Sequence, residues 1–103
     1  MSENIELKLN KDQVIALCEM LYMMADMNTF SDFEALILLE TQVFVSKKRN
    51  NKRCKILLLN SQLLVLFRAL NVVDFNNSFH QNTAIQIVAQ MDKQRVNKGY
   101  VNI

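Results

Sequence analysis

Lys55-Ile-Leu-Leu-Leu-Asn-Ser-Gln-Leu-Leu-Val-Leu-Phe-Arg-Ala-Leu70 is the stretch on which the fold turns. Ile56, Leu57, Leu58, Leu59, Leu63, Leu64, Val65, Leu66, Phe67, Ala69 and Leu70 leave it few polar positions, and it is too long for one strand. At the helical period, Arg53, Asn60, Ser61, Arg68 and Asn71 gather within roughly a third of the circumference and leave the rest apolar. A helix of this kind must be covered on most sides. The stretch therefore predicts a central helix over 53–71, with the remaining chain as its cover.

A chain of 103 residues suits one domain, here read as residues 1–103, that can bury a core without staples. No apolar run approaches the roughly 18 to 20 residues of a membrane span. The opening Met1-Ser2-Glu3-Asn4 lacks the basic-then-apolar order of a signal peptide, so a cytoplasmic protein with no membrane partner is expected. Cys18 and Cys54 form no metal-ligand or redox spacing and read as free thiols. With twelve Asn, one Gly and no Pro, the chain takes its turns and caps from asparagine, a bias that suits a phage or a low-GC bacterium.

The net charge of +2 conceals an asymmetry. Residues 1–40 carry eight acids against two bases, and residues 41–73 carry seven bases and no acid. Six of those bases, Lys47, Lys48, Arg49, Lys52, Arg53 and Lys55, fall within nine residues, so one end of the molecule should be positive.

Outward from the central stretch, Ile5, Leu7 and Leu9 alternate with polar residues, the period of a short half-buried strand over 5–9. Asn10 then caps a helix over 11–27, with Gln13 as its capping-box partner and Leu9 and Val14 placed for a hydrophobic staple. That helix shows two apolar stripes. Val14, Leu17, Cys18, Leu21 and Ala25 form one, and Ala16, Met20, Met23 and Met27 the other. Ser31 and Glu34 open a helix over 31–48, whose core face is expected to be Phe33, Leu36, Ile37, Val43 and Phe44, with Glu40 among them. Asn50-Asn51 makes the turn of a basic elbow. A rival reading makes 42–47 and 53–59 the arms of a hairpin, since Val43, Phe44 and Val45 are strand-prone. Val72 to Asn77 is a connection, and Ser78 with Gln81 offers a third capping box for an amphipathic helix over 79–97. Gly99 suits a left-handed helix cap, and Tyr100 to Ile103 an extended piece beside the first strand.

Catalysis has little to work with. There is one histidine, no glycine-rich phosphate loop, and no nucleophile with a base at a recognisable spacing. No enzyme, cofactor or metal site is expected. His80, in the first turn of the last helix, reads as a structural histidine. Cys54 lies between Arg53 and Lys55, whose charges favour a thiolate. Glu40 on an apolar face calls for a partner, and Arg68 on the polar edge of the central helix is the candidate. The stripe of Ala16, Met20, Met23 and Met27 fits an adaptable dimer or partner interface, or else a helix sandwiched in the core. The elbow cations suit a solvated turn, an acidic protein surface or a phosphate backbone, and no aromatic interleaves them for stacking on unpaired bases.

Residues 4–45 resemble the ribbon-helix-helix pattern: an alternating strand at Ile5, Leu7 and Leu9, a capped helix with Leu17 and Leu21, a short turn, then Ser31-Asp32-Phe33-Glu34-Ala35-Leu36 opening a second helix. The resemblance implies dimerisation through the strand, whose outward residues Asn4, Glu6 and Lys8 would face the DNA major groove. The family's usual turn glycine is here replaced by Met27-Asn28. Together these readings predict a mainly-α, four-helix bundle-like domain with short extended segments at its termini. Its expected role is that of a non-enzymatic interaction module that self-associates as a homodimer or binds a protein partner. The alternative is a nucleic-acid-binding regulator using the basic elbow or the ribbon-like N-terminal half.

Overall fold

Residues 5–97 are described by the computed structural model, with side chains described through Gln94. The order is β1 (Ile5–Asn10), α1 (Lys11–Ala25), α2 (Asp32–Ser46), β2 (Arg53–Leu58), α3 (Asn60–Val72) and α4 (Ser78–Asn97). The expected features at Gly99 and Tyr100–Ile103 lie outside the described residues.

β1 forms where alternation predicts it. Ile5, Leu7 and Leu9 are buried, while Lys8 and Asn10 are exposed. The strand passes directly into α1 through a reciprocal cap. The Asn10 side chain accepts from Gln13 N at 2.8 Å, and the Gln13 side chain accepts from Asn10 N at 2.9 Å. Ser31 and Glu34 do the same for α2, at 3.1 and 3.0 Å. For α4 the cap is Asn77, not the expected Ser78: Asn77 Oδ1 accepts from Phe79 N and His80 N. Gln81 instead turns its amide to Phe75 N.

The central stretch folds differently from the expectation. Residues 53–58 are a strand, and helix begins only at Asn60. Cys54, Ile56 and Leu58 point inward while Arg53, Lys55 and Leu57 point outward, a period of two that cannot continue a helical face. Gln62 Oε1 accepts from Leu59 N, and Leu63 N donates to Leu59 O, so the helix starts within one residue of the strand's end. The rival hairpin is half realised. Its second arm is a strand, but 42–47 stays in α2 and its end, so β2 takes β1 as partner.

The sheet is a two-stranded antiparallel ribbon. Ile5 lies opposite Leu58, Leu7 opposite Ile56, Lys8 opposite Lys55, Leu9 opposite Cys54 and Asn10 opposite Arg53. The α1–α2 hairpin fills the interval between the two strands. Four helices and this ribbon share one core, so the architecture is mainly helical without being a helical bundle alone. No described helix is long and apolar enough to cross a membrane.

The helix covered on most sides is α1. Val14, Ala16, Leu17, Cys18, Met20, Leu21 and Met24 are all buried, and α1 packs against α2, α4 and both strands. Met24 falls between Leu17, at the edge of the first stripe, and Met20 of the second, and so joins the two into one arc of more than half the circumference. α3 is the more peripheral element, buried only along Leu63, Leu66, Ala69 and Leu70.

α4 closes the second edge of β1. Successive residues of an antiparallel strand send their backbone groups to opposite edges, so those of Glu6 and Lys8 face away from β2. Gln94 accepts from Glu6 N at 2.9 Å and donates to Glu6 O at 2.6 Å. Gln90 treats Lys8 alike, at 2.8 and 3.0 Å. Four helical residues advance about 6 Å and two strand residues about 6.8 Å, which is why an i, i+4 pair of glutamines meets alternate strand residues. Gln86, one turn earlier, bonds the Gln13 side chain and ties this ladder to the α1 cap.

One buried group in α4 lacks a hydrogen-bond partner among the described residues. Thr83 is 1 % exposed, and its hydroxyl meets no acceptor or donor. An unsatisfied buried hydroxyl costs about 1 to 3 kcal/mol. Thr83→Val should therefore raise the urea midpoint, by an amount equivalent to about 1 kcal/mol, with an unchanged denaturant slope. A lower midpoint would mean that the hydroxyl is bonded.

Candidate interaction surfaces

The methionine stripe of α1 is not a continuous surface. Ala16 and Met20 are buried in the core, Met27 is half-buried against it, and Met23 is exposed. The sandwiched-helix alternative fits this face, because Ala16 and Met20 are buried in a helix that packs against both strands, α2 and α4.

The expected pair of Glu40 and Arg68 does not form. Glu40 is exposed, and Arg68 Nη1 instead meets Glu34 Oε2 at 2.8 Å, with its guanidinium 5.6 Å from the Phe30 ring centroid. Six helical residues separate Glu34 from Glu40, a rotation of about 240°, so only Glu34 turns toward α3. Both partners of the actual bridge remain partly exposed, which places its contribution in the range of about 0 to 1 kcal/mol.

Glu40 stands instead within an outward apolar stripe. Phe33 is 66 % exposed, Leu36 53 %, Leu39 40 % and Val43 54 %. The core side of α2 is Ile37, Leu38, Thr41 and Val45, with the Thr41 hydroxyl bonded to Ile37 O at 2.7 Å. Phe33, Leu36 and Val43, expected in the core, therefore form a second face. Asp32 lies at one end of that face and Lys47, just past the helix, at the other, both exposed.

The elbow cations divide between two elements. Lys47, Lys48 and Arg49 follow α2, and Lys52 lies in the turn. Arg53 and Lys55 point outward from β2, where Lys8 of β1 joins them directly opposite Lys55. The ladder extends to the elbow through Lys11 N, which donates to Lys52 O at 3.1 Å. Lys8 is not legible in the sequence as a member of this group, because only the strand pairing brings it there.

Strand alternation also separates Cys54 from the cations beside it in sequence. Its side chain is buried and donates to Lys48 O at 3.2 Å, while Arg53 and Lys55 face solvent. Burial pushes the Cys18 thiol above its ordinary value, and the charge of Arg49 offsets part of that rise. A raised thiol value marks a poor nucleophile near neutral pH. His80 bonds Glu19 Oε1 at 2.9 Å and meets the Phe75 ring edge-on at 6.4 Å, which joins α4 to α1.

β1 is engaged on both edges, by β2 and by the α4 glutamines, so the ribbon of this fold is built within one chain. The dimeric strand pairing implied by the ribbon-helix-helix resemblance has no free edge to use. Glu6 and Lys8 do project from the outer face of the ribbon, and Asn4 lies outside the described residues. No family model matches the chain, and comparison with curated proteins and with solved structures finds no similar protein.

Proposed function

We propose that this protein is a non-enzymatic interaction module that self-associates through the outward face of α2. The observation that carries this reading is an exposed apolar stripe, Phe33, Leu36, Leu39 and Val43, bounded by Asp32 at one end and Lys47 at the other. Contiguous apolar surface on a small protein marks a contact site. The charges choose the occupant. Two copies of α2 laid antiparallel about a two-fold axis bring Asp32 of each against Lys47 of the other, and Leu36 against Val43. Glu40 then falls near the axis, where its stem covers Leu39 and its carboxylate reaches the rim.

Support for a binding role over catalysis comes from the titratable groups. Both cysteines are buried, and the single histidine is engaged by Glu19 and Phe75. Light scattering over a concentration series is the direct test. The proposal expects a mass of two chains that falls on dilution. A mass of one chain at all concentrations up to the millimolar range would end it.

A further inference from the structure

We propose that the outward face of the β1–β2 ribbon is a contact surface for duplex DNA. This goes beyond self-association and rests on different residues. The ribbon sets Lys8 directly opposite Lys55, and Arg53 opposite Asn10, on its solvent face. Like charges directly opposite across strands destabilise a sheet, so this arrangement has no structural benefit to the free protein. Lys11 and Lys52 continue the positive charge at the elbow end, where their backbones are hydrogen-bonded. Among the described residues, none of these five cations makes an ion pair. The only carboxylate on the outward face of the ribbon is Glu6, at the end remote from the elbow, opposite Leu57.

Shape selects the kind of nucleic acid. A two-stranded ribbon of six residues is about 20 Å long, and the major groove of B-form DNA, about 12 Å wide, admits such a ribbon. The deep, narrow major groove of A-form RNA does not. The outward positions, Glu6, Lys8, Asn10, Arg53, Lys55 and Leu57, include no aromatic ring, so unpaired bases have no stacking platform. The ribbon is also a firm support, since its inner face is core and the far edge of β1 is held by Gln90 and Gln94. Lys47, Lys48 and Arg49, clustered beyond the elbow, are left to meet phosphates flanking the groove.

Fluorescence anisotropy tests this with a labelled mixed-sequence DNA duplex of about 20 base pairs, an RNA duplex of the same length and the single DNA strand, titrated from about 50 to 200 mM salt. Duplex DNA should bind at the low-salt end, at least about tenfold tighter than either competitor. Its log affinity should fall with log salt at a slope of roughly −4 to −7, for about five to eight neutralised phosphates. Lys8→Gln/Lys55→Gln should weaken binding at least about tenfold and flatten the slope by about 2. The same variant should melt no earlier than wild type, because it removes a repulsive cross-strand pair. Repeating the titration with Leu36→Glu separates this proposal from self-association, since the ribbon of a single chain carries the contact. Absence of duplex binding at about 50 mM salt, equal binding of all three nucleic acids, or an unaffected double variant would each overturn the proposal. So would tighter binding to polyglutamate than to DNA, which would point to an acidic protein partner.

Discussion

Leu36→Glu is expected to turn two-chain assemblies into single chains while leaving the far-ultraviolet circular dichroism unchanged. Leu36 is half exposed on α2, and glutamate is a good helix former, so the isolated chain accommodates the change. The proposed assembly does not. Burying the exposed half of each leucine contributes about 0.8 to 1.5 kcal/mol, a two-fold axis removes that contribution twice, and each new carboxylate must also be desolvated, so the dissociation constant should rise at least about a hundredfold. A second measurement isolates the electrostatic part. Asp32→Lys and Lys47→Asp should each weaken association, by about 1 kcal/mol or less per exposed pair, and the double variant should regain it. A structural defect in α2 would not be repaired by exchanging the charges. If Leu36→Glu keeps the mass of wild-type assemblies, the contact lies elsewhere and this reading of α2 fails.

The outline of the fold was legible where one local signal stood uncontested. The alternation in β1 and the reciprocal caps at Asn10 and Ser31 mark their boundaries within a residue. The stretch 53–70 was not legible, because Leu57 and Leu59 are leucines on the solvent side of the chain. They fill the polar half of the alternation and make a strand followed by a helix look like one helix covered all round. The same ambiguity governs which apolar face is left exposed. α1 and α2 each carry two apolar stripes, and sequence periodicity does not say which of the second stripes is covered. Packing decided it: the Ala16 and Met20 side of α1 is enclosed, whereas Phe33, Leu36 and Val43 of α2 look outward. The elbow cations were visible as a run, but their union with Lys8 depends on strand register. The register is fixed by the need to bury Ile5, Leu7 and Leu9 opposite Leu58, Ile56 and Cys54.

Gln90→Leu/Gln94→Leu should produce the largest loss of stability among surface-accessible positions. The two amides satisfy the N–H and C=O groups of both Glu6 and Lys8, and leucine satisfies none of them. At about 0.5 to 1.5 kcal/mol per bond, and with water reaching part of the edge, the double variant should lose about 2 to 4 kcal/mol in urea unfolding, each single variant about half. Amide hydrogen exchange at Glu6 and Lys8 should accelerate together with that loss. Gln90→Glu/Gln94→Glu gives a sharper test. A carboxylate still accepts from the strand N–H groups but has no hydrogen to donate to the C=O groups, whereas the protonated acid does both. Folding therefore favours the protonated form and raises the folded-state value of these acids above the usual glutamate value of about 4.3. The stabilisation this adds is fully present below that unfolded-state value and is lost as pH rises through the folded one. Relative to the leucine variant at each pH, the glutamate variant should thus be more stable near pH 4 and lose that advantage toward neutrality. If the two variants instead run parallel across that range, the glutamines are not holding the strand edge through their amides.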